Sequence, residues 1–143
     1  MSFNTAMASI AIAAVLVAPY AWASAATESA LVAQGDKQWT EGQLDNARKS
    51  FEKAVADNPR SIEAHMKLGG LLLSRQNYSD AIQTYQNTIS LDGNNAKAWI
   101  GLGMAYLHVG SKELSRAAFN EAIRIEPGRK AQLARLSKSP AED

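Results

Sequence analysis

Glycine recurs at a fixed interval in this chain: Gly35, Gly69 and Gly103 stand 34 residues apart (69 − 35 and 103 − 69). Four more columns keep that step: Ala47, Ala81 and Ser115; Phe51, Tyr85 and Phe119; Ala54, Thr88 and Ala122; Pro59, Gly93 and Pro127. A period of this length marks a stacked-repeat architecture. One unit cannot bury its apolar face alone, so units adjacent in sequence must pack against each other in space. Within each unit the apolar residues fall at helical spacing, as in His65, Leu68, Gly69 and Leu72, and no strand pattern interrupts them.

The third unit is the clearest. Trp99, Leu102, Gly103 and Tyr106 come first, followed by Phe119, Ala122 and Pro127. This resembles the tetratricopeptide repeat signature W-x₂-L-G-x₂-Y…A-x₃-F…P. Ser115 stands where that pattern has Ala. The first unit is the most degenerate, with Leu31 and Gln34 where the third has Trp99 and Leu102. The second has His65 for the Trp and Gly93 for the Pro. The resemblance implies an all-α fold: a right-handed α-solenoid of three helix-turn-helix repeats at 28–61, 62–95 and 96–129, then a capping helix at 130–138 and a disordered tail at 139–143.

The local signals agree with that division. Gly42 suits a positive φ at the end of the first helix. Pro59 disfavours helical geometry at Asn58 and so ends one repeat, and Ser61 is placed to cap the next helix. Lys112 breaks the pattern set by Leu44 and Tyr78, and Leu114 is expected to fill that contact. Leu133 and Leu136 continue the step from Trp99 and Leu102, which makes residues 130–138 an unfinished fourth repeat covering the end of the stack. The cations beside them, Arg129, Lys130, Arg135 and Lys138, read as a solvated face, with an anion or lipid site as the alternative.

Residues 1–27 contain no charged side chain. The apolar run at 10–18, Pro19 and Ala21-Trp22-Ala23 read as a secretory signal peptide over residues 1–23, cut before Ser24 or, alternatively, before Ala26. The competing reading is an uncleaved anchor over residues 6–26, with Tyr20 and Trp22 at one interface. Either way the folded part is expected outside the cytoplasm, periplasmic, secreted or membrane-anchored facing the periplasm. The resemblance is then to exported bacterial repeat proteins, whose roles include envelope assembly, secretion and cytochrome maturation.

Several function classes have no residues to support them. A net charge of +1 supplies no field to recruit nucleic acid, and no basic stripe is interleaved with stacking aromatics. With no Cys there is no disulfide, thiolate nucleophile or Cys metal site. His65 and His108 lie in different repeats without a second His at ligand spacing, and no carboxylates converge for acid–base work. No metal, cofactor or enzymatic activity is expected.

What remains is surface. Leu31, Gly35 and Gln38, with His65, Leu68, Gly69 and Leu72 and with Trp99, Leu102, Gly103 and Tyr106, form the face expected to pack inside each repeat. Trp99 is expected to be buried, and the three in-phase glycines are expected to mark close helix approach, since a helical Gly costs about 1 kcal/mol relative to Ala. A second stripe at i, i+4, i+7 holds Val32, Asp36 and Trp39, then Met66, Gly70 and Leu73, then Ile100, Met104 and Leu107, flanked by Lys67 and Lys97. By resemblance this stripe lines the concave groove where proteins of the family bind a peptide or helix of another protein. Gly70 and Gly101 are expected to leave room there for a ligand. Members that clamp a C-terminal carboxylate use Lys and Asn at these places, and that set is absent here. The other reading of the stripe is packing against neighbouring helices or the chain's own termini, and the other reading of function is a self-associating scaffold, a homo-oligomer with the groove buried.

Overall fold

The computed structural model describes residues 18–137, and side chains from residue 25 to residue 136. The order is α1 (Ala18–Thr40), α2 (Leu44–Asp57), α3 (Ile62–Ser74), α4 (Tyr78–Leu91), α5 (Ala96–His108), α6 (Lys112–Ile125), a 3-10 turn (Pro127–Arg129) and α7 (Lys130–Ser137). The described residues form no strand. Three helical hairpins, α1–α2, α3–α4 and α5–α6, stack in sequence order, and α3 also touches both α1 and α5. The first helices of the hairpins therefore line one side of the molecule.

Each hairpin turns the same way. Gln43 N–H donates to the carbonyl of Gln38 (2.8 Å) and Gly42 N–H to that of Trp39 (3.0 Å). The pairs Asn77 to Leu72 and Gln76 to Leu73, then Ser111 to Tyr106 and Gly110 to Leu107, repeat the pattern. This double bond is a Schellman ending, which needs a left-handed residue. Gly42 (φ 76°) and Gly110 (φ 80°) take it without strain, and Gln76 takes it at φ 63°. Between repeats the chain is extended, at Asn58 before Pro59 and at Glu126 before Pro127, where proline excludes the helical conformation. New helices then start on side-chain caps: Ser61 Oγ accepts from Ala64 N–H (3.1 Å), and Asn95 Oδ1 accepts from Ala98 N–H (3.0 Å).

The glycines explain how tightly the hairpins close. A Cβ on Gly35 would stand 2.4 Å from Phe51, one on Gly69 2.9 Å from Tyr85, and one on Gly103 2.6 Å from Phe119. Each second helix thus presses its aromatic ring onto bare backbone of the first. Ala47, Ala54, Ala81, Ala118 and Ala122 fill the rest of these seams. Burial pushes the Tyr85 phenol up to about 12. Ser115, in the column otherwise occupied by Ala, is 1% exposed, and its hydroxyl has no hydrogen-bond partner among the described residues. An unsatisfied buried hydroxyl is unfavourable by about 1–3 kcal/mol, so Ser115→Ala is expected to stabilise the fold by about 1 kcal/mol, seen as a higher urea midpoint with an unchanged slope.

Two local expectations change. Helix α1 begins at Ala18 rather than near Glu28, because residues 18–27 are rich in helix-favouring Ala and contain no Gly; the leader expected over residues 1–23 lies in part outside the described residues, and its residues 18–23 form the first turns of α1. No described helix is long and apolar enough to cross a membrane. Helix α6 does begin at Lys112, but Leu114 does not fill the contact of Leu44 and Tyr78: it is 51% exposed, pointing away from the buried Ser115, Ala118 and Phe119 stripe of the same helix. Leu133 of α7 is 1% exposed against Phe119 and Ala122, while Leu136 is exposed. The tail at 139–143 lies outside the described residues.

Candidate functional site

The side formed by α1, α3 and α5 carries the second stripe. Asp36 on α1 and Lys67 on α3 meet there, Nζ to Oδ2 2.6 Å, in a half-exposed ion pair. One turn further along α1, the Trp39 ring stands edge-on to Phe51 (centroids 6.2 Å, planes at 74°) and lies over Gly70, where an added Cβ would be 3.4 Å from Trp39 Cη2. Met66 and Leu73 are half-buried, leaning on the main core. Leu107 is half-buried and belongs to neither buried cluster. Lys97 is exposed and has no ion-pair partner among the described residues.

Other stripe residues are placed differently from the expectation. Val32 is 4% exposed and part of the core, because α2 and α3 close over it. Gly70 and Gly101 do not open space for a ligand. Gly70 accommodates Trp39, and Gly101 is buried with its hypothetical Cβ 2.2 Å from Tyr85 Cζ, so both serve packing between repeats. Ile100 and Met104 are half-buried against the cluster of Phe119, Ala122 and Leu133, which shields part of the stripe's last third. Trp99 is only half-buried: its indole N–H donates to the Gly93 carbonyl (2.9 Å), a surface partner that keeps the ring edge at the boundary with water. The stripe that stays open is thus Trp39, Met66, Leu73 and Leu107, with the Asp36–Lys67 pair and Lys97 as its charged groups.

The opposite side holds features that the sequence reading missed. A hollow of about 360 Å³ lies between α4, α5 and α6, lined by Ile89, Trp99, Leu102, Tyr106 and Leu114. Exposed Leu114 marks that region. The signal was present in the repeat columns, since Leu114 occupies the place of Asp80 one step earlier. His65 is buried with Nε2 3.0 Å from the Pro59 carbonyl, and His108 stacks flat on Tyr78 (4.8 Å, 4°). Among the described residues no group of His, Cys, Asp and Glu could hold a metal.

The sequence profile described as "Tetratricopeptide repeat" matches residues 32–96 and, in overlap, 72–130. The chain belongs to the tetratricopeptide repeat family. The Hsp70-Hsp90 organizing protein of Triticum aestivum is 30% identical over 112 residues, 76% of this chain and 19% of that protein. The general transcriptional corepressor trfA of Dictyostelium discoideum is 29% identical over 82 residues, 57% of this chain and 6% of that protein. The chain thus matches a fifth or less of the length of these curated relatives. Among solved structures, the Arabidopsis OM64 tetratricopeptide domain gives a TM-score of 0.73 at 18% identity, covering 80% of this chain and 93% of that one. The second such domain of human RPAP3, in complex with the HSP70 peptide SGPTIEEVD, gives 0.72 at 22%, covering 82% and 98%. These likenesses show the fold: a helical solenoid of tetratricopeptide hairpins with a terminal helix.

Proposed function

We propose that this chain is a non-enzymatic interaction module that holds a segment of another protein on the face formed by α1, α3 and α5. The observation that carries the reading is the half-exposed apolar stripe of Trp39, Met66, Leu73 and Leu107 along α1, α3 and α5; its first three members lean on the core, and Leu107 belongs to neither buried cluster. A tetratricopeptide domain of similar fold was solved with a bound peptide, which supports the same use of the fold here. The fitting ligand is an extended or helical segment with a few apolar anchors, because the stripe offers apolar contact, a flexible Met and, among the described residues, Lys97 as a cation outside any ion pair. The charge-free residues 1–27 favour export, with the module serving an envelope complex.

The test uses a display library of random peptides selected on the purified full chain. Leu107→Asp puts a charge on the stripe at a residue outside both buried clusters. Selected peptides should be apolar-anchored, bind the parent chain, and lose at least about tenfold in affinity, about 1.4 kcal/mol, for Leu107→Asp while its melting temperature holds. Peptides that bind both chains equally would place the binding surface elsewhere.

A further inference from the structure

The two junctions between repeats are built from different interactions. Across the first, three ion pairs join repeat one to repeat two, and Glu28 ties α1 to the loop that starts α3. Lys67 pairs with Asp36 (2.6 Å) on the groove side. Arg48 reaches Asp80 (3.4 Å) and Arg75 pairs with Asp45, both on the other side. Glu28 of α1 accepts from Ser61, the cap of α3, and from Asn58 Nδ2 (2.7 Å) in the preceding loop. Across the second junction, the described residues make no ion pair; an exposed hydrogen bond from Gln86 to the Tyr106 hydroxyl (3.0 Å) is a polar side-chain link there. The residues one step on from the first junction's pairs are Ser79 for Asp45, Val109 for Arg75, Ile82 for Arg48 and Leu114 for Asp80.

The backbones also approach differently. At the second junction Tyr85 is pressed between Gly69 of its own repeat and Gly101 of the next. One step earlier, Lys67 occupies the place of Gly101, so a side chain stands where the second junction has bare backbone. That side chain turns to Asp36. The second junction is thus closed by apolar contact that salt does not weaken. The first shares the same buried core, with Val32 and Phe51 clustered with Ala64, Leu68 and Leu71, but adds pairs that are partly exposed to water. Such pairs contribute about 0–1 kcal/mol each and are screened by salt.

We infer that the junction between repeats one and two is an electrostatically latched hinge, while repeats two and three move as one body. Ionic strength then changes the angle of α1 and α2 against the rest, and with it the seat of Trp39 over Gly70. This follows from the junctions alone and stands whether or not the groove binds a peptide.

The chain has no Cys, so spin labels go only where cysteines are introduced. Lys49, Gln83 and Ala117 are exposed and occupy one column of the repeat. The full chain carrying Lys49→Cys with Gln83→Cys reports the first junction, and Gln83→Cys with Ala117→Cys the second. Pulsed electron resonance distances are read at about 0.01 M and about 1 M salt, where the screening length falls from about 30 Å to about 3 Å. The 49–83 distribution is expected to broaden and shift at high salt while 83–117 keeps its width. Combining Arg48→Gln, Lys67→Gln and Arg75→Gln should give the broad 49–83 distribution already at low salt, with helicity retained by circular dichroism. Exchanging one pair in the otherwise parent chain, Asp45→Arg with Arg75→Asp, should keep the distribution narrow at low salt. A 49–83 distribution indifferent to salt, equal broadening at both junctions, or a narrow distribution in the triple variant would overturn the hinge.

Discussion

Gly101→Ala is expected to destabilise the fold by about 2 kcal/mol, although Ala is the better helix former. In an open helix the same exchange would gain about 1 kcal/mol. The sign reverses because the new Cβ would lie 2.2 Å from Tyr85 Cζ and 2.5 Å from Cε1. The ring has little room to retreat, since it is also packed on Gly69, where a Cβ would come within 2.9 Å of Cε1. Overpacking of a filled site typically costs about 1–3 kcal/mol. Gly101→Leu should lie at or above the top of that range, and the loss should spread along the stack because each repeat is held by its neighbours. Gly128→Ala is the control, with nothing within 4 Å of its Cβ position. Urea unfolding measures all three. A Gly101→Ala midpoint equal to or above the parent would show that α4 and α5 are not in this contact.

The second large effect is at the C-terminal cap. Leu133 is 1% exposed and is the anchor of α7, packing with Phe119 and Ala122 beneath Trp99, Ile100 and Met104. Removing a buried Leu side chain typically costs about 2–5 kcal/mol. Helix α7 has eight residues and lies at the end of the chain's described part. A helix that short is not stable without packing. Leu133→Ala is therefore expected to release α7 locally as well as to lower stability by about 2 kcal/mol. Hydrogen exchange should show α7 amides losing protection first, with α3 and α4 little changed. Continued protection of α7 in Leu133→Ala would mean that other contacts hold the cap.

Most of the fold was legible in the sequence because it repeats. Five columns at one step locate the hairpins, and the residues that carry them have single physical jobs: Gly beneath an aromatic ring, Pro after an extended residue, Gly42 at a left-handed turn. The start of α1 was not legible, since an Ala-rich run reads equally as a leader and as a helix. The groove was legible as a stripe but not in its detail. Spacing says which residues share a face, and not which are then covered. Val32, Ile100 and Met104 share the face of Leu107, yet the first lies under α2 and α3 and the other two lean on the cluster around Leu133. Gly70 and Gly101 looked like open floor because a missing side chain reads as space. Here the space is filled by Trp39 and Tyr85, each from the preceding repeat. Leu114 follows a related rule: an apolar residue stays exposed when its helix already presents Ser115, Ala118 and Phe119 to the core.

The central claim is that the face of α1, α3 and α5 receives a protein segment. Backbone amide shifts of the full chain, recorded by nuclear magnetic resonance during titration with a peptide selected by display, test it most directly. The account predicts that the largest shifts fall on residues 36–40, 66–73 and 97–107, with Leu107→Asp abolishing them and α2, α4 and α6 nearly unmoved. Shifts concentrated on residues 86–90 and 114–118, around the hollow between α4, α5 and α6, would contradict it.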